Sequence, residues 1–289
     1  MLVEWLAHDI LYRLILIQGE ISNLEPLRIG AGKVQDPAAL SDLKVMTIFR
    51  NGRHEPYIPG SSLKGVFRST AEKIARTYGL RVCNISPRTI CGSIYKKDLE
   101  KAIKNNDRAG LLKIVNDFCI VCKLFGSAGY KSHIDFGDGF VIGPYIISSK
   151  TGIAINRRTG AVARRALYTV EYVEPGAKFS LTISATNIPN YAIGLLAYII
   201  DYINMGLVKI GGFKTRGFGT VRMDIKEISI SGSHGVINSK LVALDEYDAE
   251  ISVEGGNKLT DPEKIKKFLE DAKRVWDQYV KKAKAKEGS

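Results

Sequence analysis

Residues 57–68 read Tyr-Ile-Pro-Gly-Ser-Ser-Leu-Lys-Gly-Val-Phe-Arg, and no other stretch restricts the fold of this chain as much. Pro59 removes a backbone donor and Gly60 adds a flexible joint, so a strand arriving through Tyr57 and Ile58 must stop there. Beyond them Leu63, Val66, Phe67, Ala71, Ile74 and Tyr78 recur at helical spacing, which predicts an amphipathic helix directly after the strand. Ser61 or Ser62 is placed to cap it. The free N–H groups and positive dipole end at such a helix start suit an anion. Lys64 and Arg68, four residues apart, share one face of the first turns, from which they could reach an adjoining phosphodiester. The alternative is an ordinary capped helix carrying two solvated cations.

The charge balance favours the first reading. Lys and Arg number 42 against 30 Asp and Glu, a formal charge of +12, which points to a polyanionic partner, nucleic acid first. No apolar run reaches the roughly 20 residues of a membrane span, and the opening residues lack the basic region of a signal peptide, so a cytoplasmic location with no membrane partner is expected.

Residues 9–22 predict a first strand, apolar on both faces and therefore central in its sheet. A long loop with Pro26, Gly30, Gly32, Asp36 and Pro37 follows to about Lys44, and a connection of that length inside a compact domain is usually functional or disordered. Asn51-Gly52 predicts a hairpin between 45–49 and 55–58. After the helix, residues 81–135 change character, with all four cysteines and broken helical patterns at 99–103 and 111–115, as in an inserted subdomain. Strand patterns resume at 140–147, 152–155, 167–173 and 178–185, with Pro175-Gly176 as a turn. A buried helix at 190–205, opened by Pro189 and closed by Gly206, precedes a last strand at 221–230. Without its insertions the order is βαββαβ, the α+β arrangement of ferredoxin-like and RNA-recognition folds. The expected organisation is a core of 1–80 and 136–235, an insert of 81–135 and a helical extension of 236–289. In the extension, Thr260 and Glu263 suit a capping box before one apolar stripe from Ile265 to Val280, which packs on its own domain or meets a partner.

Cys83, Cys91, Cys119 and Cys122 all fall in the insert. Cys119-x-x-Cys122 suits a knuckle for tetrahedral zinc, and Cys83 with Cys91 could complete a closed structural site that gives a small insert its folding energy. Two disulfides, or four buried thiols, are the alternatives, and His133 could replace one thiolate. The loop at 210–219 is glycine-rich, and Gly211, Gly212, Lys214 and Arg216 could bring its backbone close to a polyanion, although it is neither a Walker loop nor a dinucleotide turn. The densest arginine cluster, Arg157, Arg158, Arg164 and Arg165, joins two strands, as a hairpin reaching across a nucleic-acid strand would. The four histidines are dispersed and fit no hydrolase pattern. Asp36 and Asp42 in the long loop could hold a divalent cation beside an RNA phosphate or could merely cap turns.

Taken together, Leu27-Arg-Ile-Gly30, Ile58-Pro-Gly-Ser-Ser-Leu-Lys-Gly65 with Arg68, Cys119-x-x-Cys122-x-Leu-Phe-Gly-Ser127, the stretch from Asn156-Arg-Arg-Thr-Gly160 to Tyr168, and 211–219 resemble the repeat-associated RNA-binding (RAMP) backbone subunits of type III CRISPR effector complexes. The resemblance covers most of 27–230. It implies an RNA-recognition-like core that polymerises head to tail along a guide RNA, with neighbouring RAMP subunits, and a thumb-like hairpin at about 150–170 that interrupts pairing with a single-stranded target RNA. In active members an aspartate after the first strand cleaves the paired target with Mg2+ or Mn2+. That place falls on Asp42, with Asp36 as the fallback, and Gly30, Ser61, Ser62, Lys64, Arg68 and the residues of the two basic loops would hold RNA. The family's usual Asp-x-Pro is here Asp42-Leu43-Lys44, so a purely architectural, guide-binding subunit is the alternative. A guide-processing nuclease lacks support, because no histidine stands in the loop after the first strand.

Overall fold

The computed structural model describes residues 3–30, 43–84, 86, 88–162 and 167–287. After a short 3-10 turn at Glu4–Leu6, β1 (Leu14–Asn23) enters the sheet. The hairpin β2 (Thr47–Arg50) and β3 (Arg53–Ile58) follows, then α1 (Gly60–Thr77). Four short helices make the insert: α2 (Cys91–Ile94), α3 (Lys96–Lys104), α4 (Arg108–Asn116) and α5 (Ile120–Phe125). The chain continues through β4 (Ile134–Phe136), β5 (Gly139–Ile142), β6 (Ile147–Gly152), β7 (Tyr168–Val173), β8 (Lys178–Thr186), α6 (Asn190–Asn204) and β9 (Val221–Ser231). It ends with β10 (Val236–Ile237), β11 (Lys240–Leu241), β12 (Ile251–Ser252), β13 (Lys258–Leu259) and α7 (Pro262–Glu287).

The main sheet runs β13-β9-β1-β8-β5-β3-β2, with β4 also against β8, and every pair is antiparallel. Its centre, β9-β1-β8-β5 with α1 and α6 as the two crossovers, is the ferredoxin-like arrangement expected from βαββαβ. β1 is central, as its apolar faces predict, with Ile15, Ile17 and Ile21 buried, while Leu14 and Leu16 on the other face are half-covered. Asn51 and Gly52 take φ of 52° and 79°, the left-handed pair that a two-residue hairpin turn requires. The apolar stripe of α7 lies on its own domain: Phe268, Ala272, Trp276 and Val280 are buried, and Tyr279 stacks on Tyr191 of α6 at 4.1 Å.

Several details differ from the sequence reading. Neither Ser61 nor Ser62 caps α1; Pro59 occupies the cap position, and the Asp138 carboxylate, from the connection between β4 and β5, accepts from Gly60 N–H at 2.8 Å. At α7 the cap is Asp261 rather than Thr260, with Oδ1 accepting from the N–H groups of Glu263 and Lys264 at 2.9 and 3.3 Å. The extension is not only helical: β10, β11 and β12 form a small sheet of their own, and β13 extends the main one. The insert shares the core of the sheet, as its small size predicts: Cys91, Leu99, Leu112, Phe118 and Phe125 belong to the same continuous cluster of buried side chains.

Arg13, at the entrance to β1, ties the extension to the core. It is fully buried and donates to the carbonyls of His234, Ile188 and Val242 and, at 2.6 Å, to Asn190 Oδ1 at the start of α6. Burial lowers its pKa to about 10, so it remains a cation at neutral pH.

Candidate nucleic-acid groove and metal centre

A groove of about 630 Å³ opens where α1 faces the segment after β1 and the glycine-rich loop. Gly30, Ser61, Ser62, Gly211, Gly212 and Lys214, predicted from separate parts of the sequence, line it together. Backbone hydrogen bonds fix its walls. Leu27 pairs with Val173 of β7, Gly30 bridges Val45, and Gly212 N–H donates to Arg28 O at 2.9 Å. Gly211 sits at φ +85°, and a Cβ there would come within 2.3 Å of Arg28 O, so this close passage of two backbones requires glycine.

Arg28 is a groove residue that the sequence reading did not single out. It is buried, its guanidinium folds over Gly30 into the space a Cβ would fill, and its Nε has no hydrogen-bond partner. Burial lowers its pKa, with Glu171 opposing. The signal was the place of Arg28 inside Leu27-Arg-Ile-Gly30; alternation alone puts it on an exposed face of an extended segment. A second recess of about 280 Å³ continues the groove past Ser69 and Lys214 and adds Lys73 and Lys209. Lys209 is already paired with Glu25 at 2.9 Å. Burial, and secondarily the charge of Lys73, lowers the pKa of Lys214.

Other predicted contacts stand elsewhere. Lys64 is on the adjoining flank of α1, where burial lowers its pKa and Asp135 opposes the shift. Arg68 turns away from the groove toward the insert, donating to Gly126 O at 2.9 Å. Arg216 lies over the Phe213 ring, 5.4 Å from its centroid, and donates to Tyr168 Oη at 2.8 Å. Arg28 approaches the same ring at 5.5 Å, and Tyr168 stacks on it at 6.4 Å, so a ring-and-guanidinium stack joins the glycine-rich loop to the hairpin. That hairpin is β6 with β7, in register from Ile147↔Val173 to Gly152↔Tyr168, and its tip carries Arg157 and Arg158 exposed. Arg164, Arg165, Asp36 and Asp42 lie outside the described residues.

The insert brings its four cysteines together. Cys91 opens α2, Cys119 caps α5, Cys122 lies one turn in and Cys83 comes from the extended segment after α1, with all four sulfurs within 4.8 Å of one another. Cys83 Sγ is 3.4 Å from Cys122 Sγ and 3.7 Å from Cys119 Sγ. A tetrahedron with zinc–sulfur arms of about 2.3 Å has edges near ~3.8 Å, so the donor set and its size fit a metal ion such as zinc. No disulfide is formed. Hydrogen bonds from Cys122 and Cys91 lower the pKa of Cys119, while the Cys119 sulfur holds the Cys91 thiol up at about 11. Four sulfurs this close cannot all ionise unless a cation joins them. His133 is apart from the cluster. It is buried beside Thr186 O at 2.8 Å and Tyr130 Oη at 2.6 Å, and its ring stacks on His8 at 4.0 Å. Burial lowers its pKa to about 3.

A family model of the RAMP superfamily matches residues 20–222, from within β1 to the start of β9. The chain belongs to the RAMP superfamily. Groove, hairpin and cysteine centre of this RAMP protein all fall inside the matched region. The superfamily includes CRISPR effector subunits, and its members typically work with RNA in multi-subunit complexes. No curated protein matches the chain. Among the described residues no helix is long and apolar enough to cross a membrane.

Proposed function

We propose that this RAMP protein is a guide-RNA-binding backbone subunit of a type III CRISPR effector complex and that Asp42 cleaves the paired target RNA. The observation that carries the proposal is that Gly30 and Leu43, the described residues that flank Asp36 and Asp42 in the sequence, both line the groove. A guide backbone seated along α1 would therefore run past the segment that carries Asp42, with Asp36 as the fallback. Lys214, Lys73 and Arg28 supply the positive field, and the backbone of the glycine-rich loop approaches the phosphates. Such a site reads phosphate rather than base, which suits a subunit whose sequence specificity comes from guide-target pairing.

Mg2+ or Mn2+ would supply charge neutralisation at the scissile phosphate, while Asp42 would position the attacking 2′-hydroxyl. Zinc in the four-cysteine site is structural on this reading, since four thiolates leave no open position for substrate. The hairpin carrying Arg157 and Arg158 would lie across the guide-target duplex. The departure from Asp-x-Pro at Asp42-Leu43-Lys44 favours the second reading, an architectural subunit with the same groove and no cleavage. Complexes assembled with guide and target RNA separate the two. Asp42→Ala should abolish cuts at regular spacing while guide binding is unchanged. If the Asp42→Ala and Asp36→Ala complexes both cut as the parent does, the catalytic assignment is wrong.

A further inference from the structure

Helix α1 shapes one wall of the groove with Ser61, Ser62, Gly65 and Ser69. The adjacent flank of the same helix carries Arg68, Glu72 and Arg76 at successive intervals of four residues, and both arginines reach into the insert. Arg68 Nη1 donates to Gly126 O at 2.9 Å, and Arg68 Nη2 approaches Cys122 Sγ at 3.5 Å. Arg76 Nη2 donates to Cys83 O at 3.0 Å. Between them the buried Glu72 carboxylate meets Arg68 Nε at 3.4 Å and Arg76 Nη1 at 3.8 Å. Two of the four cysteines are thus gripped from α1, one at its sulfur and one at its carbonyl.

The charges explain such a clamp. Four thiolates around a divalent ion leave a formal charge of about −2 in a site where three of the cysteines are buried. A net positive Arg-Glu-Arg ladder offsets part of that charge, and Glu72 holds both guanidiniums in place. Partners outside the ligand shell orient metal ligands in this way, and their loss typically lowers metal affinity by about 10–100-fold.

We infer that Arg68, fixed by Glu72 and supported by Arg76, is a positioning residue that couples metal occupancy of the four-cysteine site to the placement of α1 and hence to the RNA groove. The inference rests on the reading of the cysteines as a zinc site and of the groove as an RNA site. When the site is filled, thiolate charge draws the guanidinium down and seats the helix. When it is empty, Cys122 is no longer held by a metal, and Arg68 is left with the Gly126 carbonyl and Glu72 as its fixed partners.

The test uses the full-length chain loaded with zinc, in wild-type, Arg68→Gln, Arg68→Lys and Glu72→Gln forms. Zinc content is measured first, then the rate of zinc transfer to a chromogenic chelator, then the affinity for a fluorescent oligouridylate across a salt series. Arg68→Gln should release zinc about tenfold faster. Arg68→Lys should be intermediate, keeping the charge without the fork. Glu72→Gln, which retains both guanidiniums, should shift in the same direction and decides the matter if Arg68→Gln does not fold. RNA affinity of zinc-loaded Arg68→Gln and of stripped wild type should fall with the salt slope unchanged. A slope reduced by about 0.7 in Arg68→Gln would identify a direct phosphate contact and overturn the inference. Zinc release within twofold of wild type in the folded variants would overturn it equally. Wild-type protein that takes up no zinc would remove the metal reading itself, and RNA affinity indifferent to every groove variant would remove the groove reading.

Discussion

Replacing Lys214 by alanine is the sharpest probe of the groove, because the structure provides a matched control, Lys209, five residues away in the chain. Lys214 lines both the main groove and its continuation, next to Lys73, and among the described residues it has no carboxylate partner. Lys209 lines the same continuation, but its ammonium is neutralised by Glu25, whose carboxylate also accepts from Thr220 Oγ1 at 2.6 Å. Binding of a single strand releases about 0.7 counterion per neutralised phosphate, so Arg28, Lys73 and Lys214 together give a log-log salt slope close to ~−2. Between 50 and 200 mM salt that is roughly a 20-fold loss of affinity, of which each cation accounts for a factor of about 2.6. Fluorescence anisotropy with a short unstructured RNA over this range should show the Lys214→Ala slope shallower by about 0.7. Lys209→Ala should leave the slope close to wild type, because its charge is already compensated within the protein and its removal frees Glu25 instead. Equal slope changes for the two variants, or an unchanged slope for Lys214→Ala, would refute the placement of RNA in this groove. The affinity should also be nearly independent of RNA sequence, since phosphates are alike along the strand.

Arg13→Met should cost about 3–5 kcal/mol in urea unfolding, because three carbonyls and Asn190 Oδ1 lose their donor in a buried site; a loss under about 1 kcal/mol would show that the extension does not depend on this residue. His133 gives a pH signature whose sign follows from its depressed pKa of about 3 against an ordinary 6.5. The fold favours the neutral ring, so this contribution is complete above pH 6.5 and is lost as pH falls toward 3; by pH 4.5 the loss is about 2.5 kcal/mol. His133→Gln should therefore be less acid-sensitive than wild type in paired denaturation curves at pH 7 and 4.5, and parallel losses in the two proteins would contradict the assignment.

Local chemistry decided those parts of the protein that short segments can specify alone. The Asn51-Gly52 hairpin follows from the left-handed backbone its turn demands, the helix after Pro59-Gly60 from apolar spacing, and the central place of β1 from its two apolar faces. Because each core element was legible in this way, so was the order βαββαβ. The cysteines were legible as a group for a similar reason, since a short insert confines them. Tertiary structure decided which partners the long side chains choose. Arg68 carries the same charge whether it faces phosphate or Cys122, and only the docking of α5 on α1 brings the sulfur and the Gly126 carbonyl within its reach. Asp138 displaced the serines at the start of α1 because the sheet delivers a carboxylate there from 78 residues away. Arg28 became a groove residue because the glycine-rich loop closes over its backbone. A flexible cation or carboxylate has many isoenergetic partners within one chain, and its choice is set by which backbone the rest of the fold places beside it.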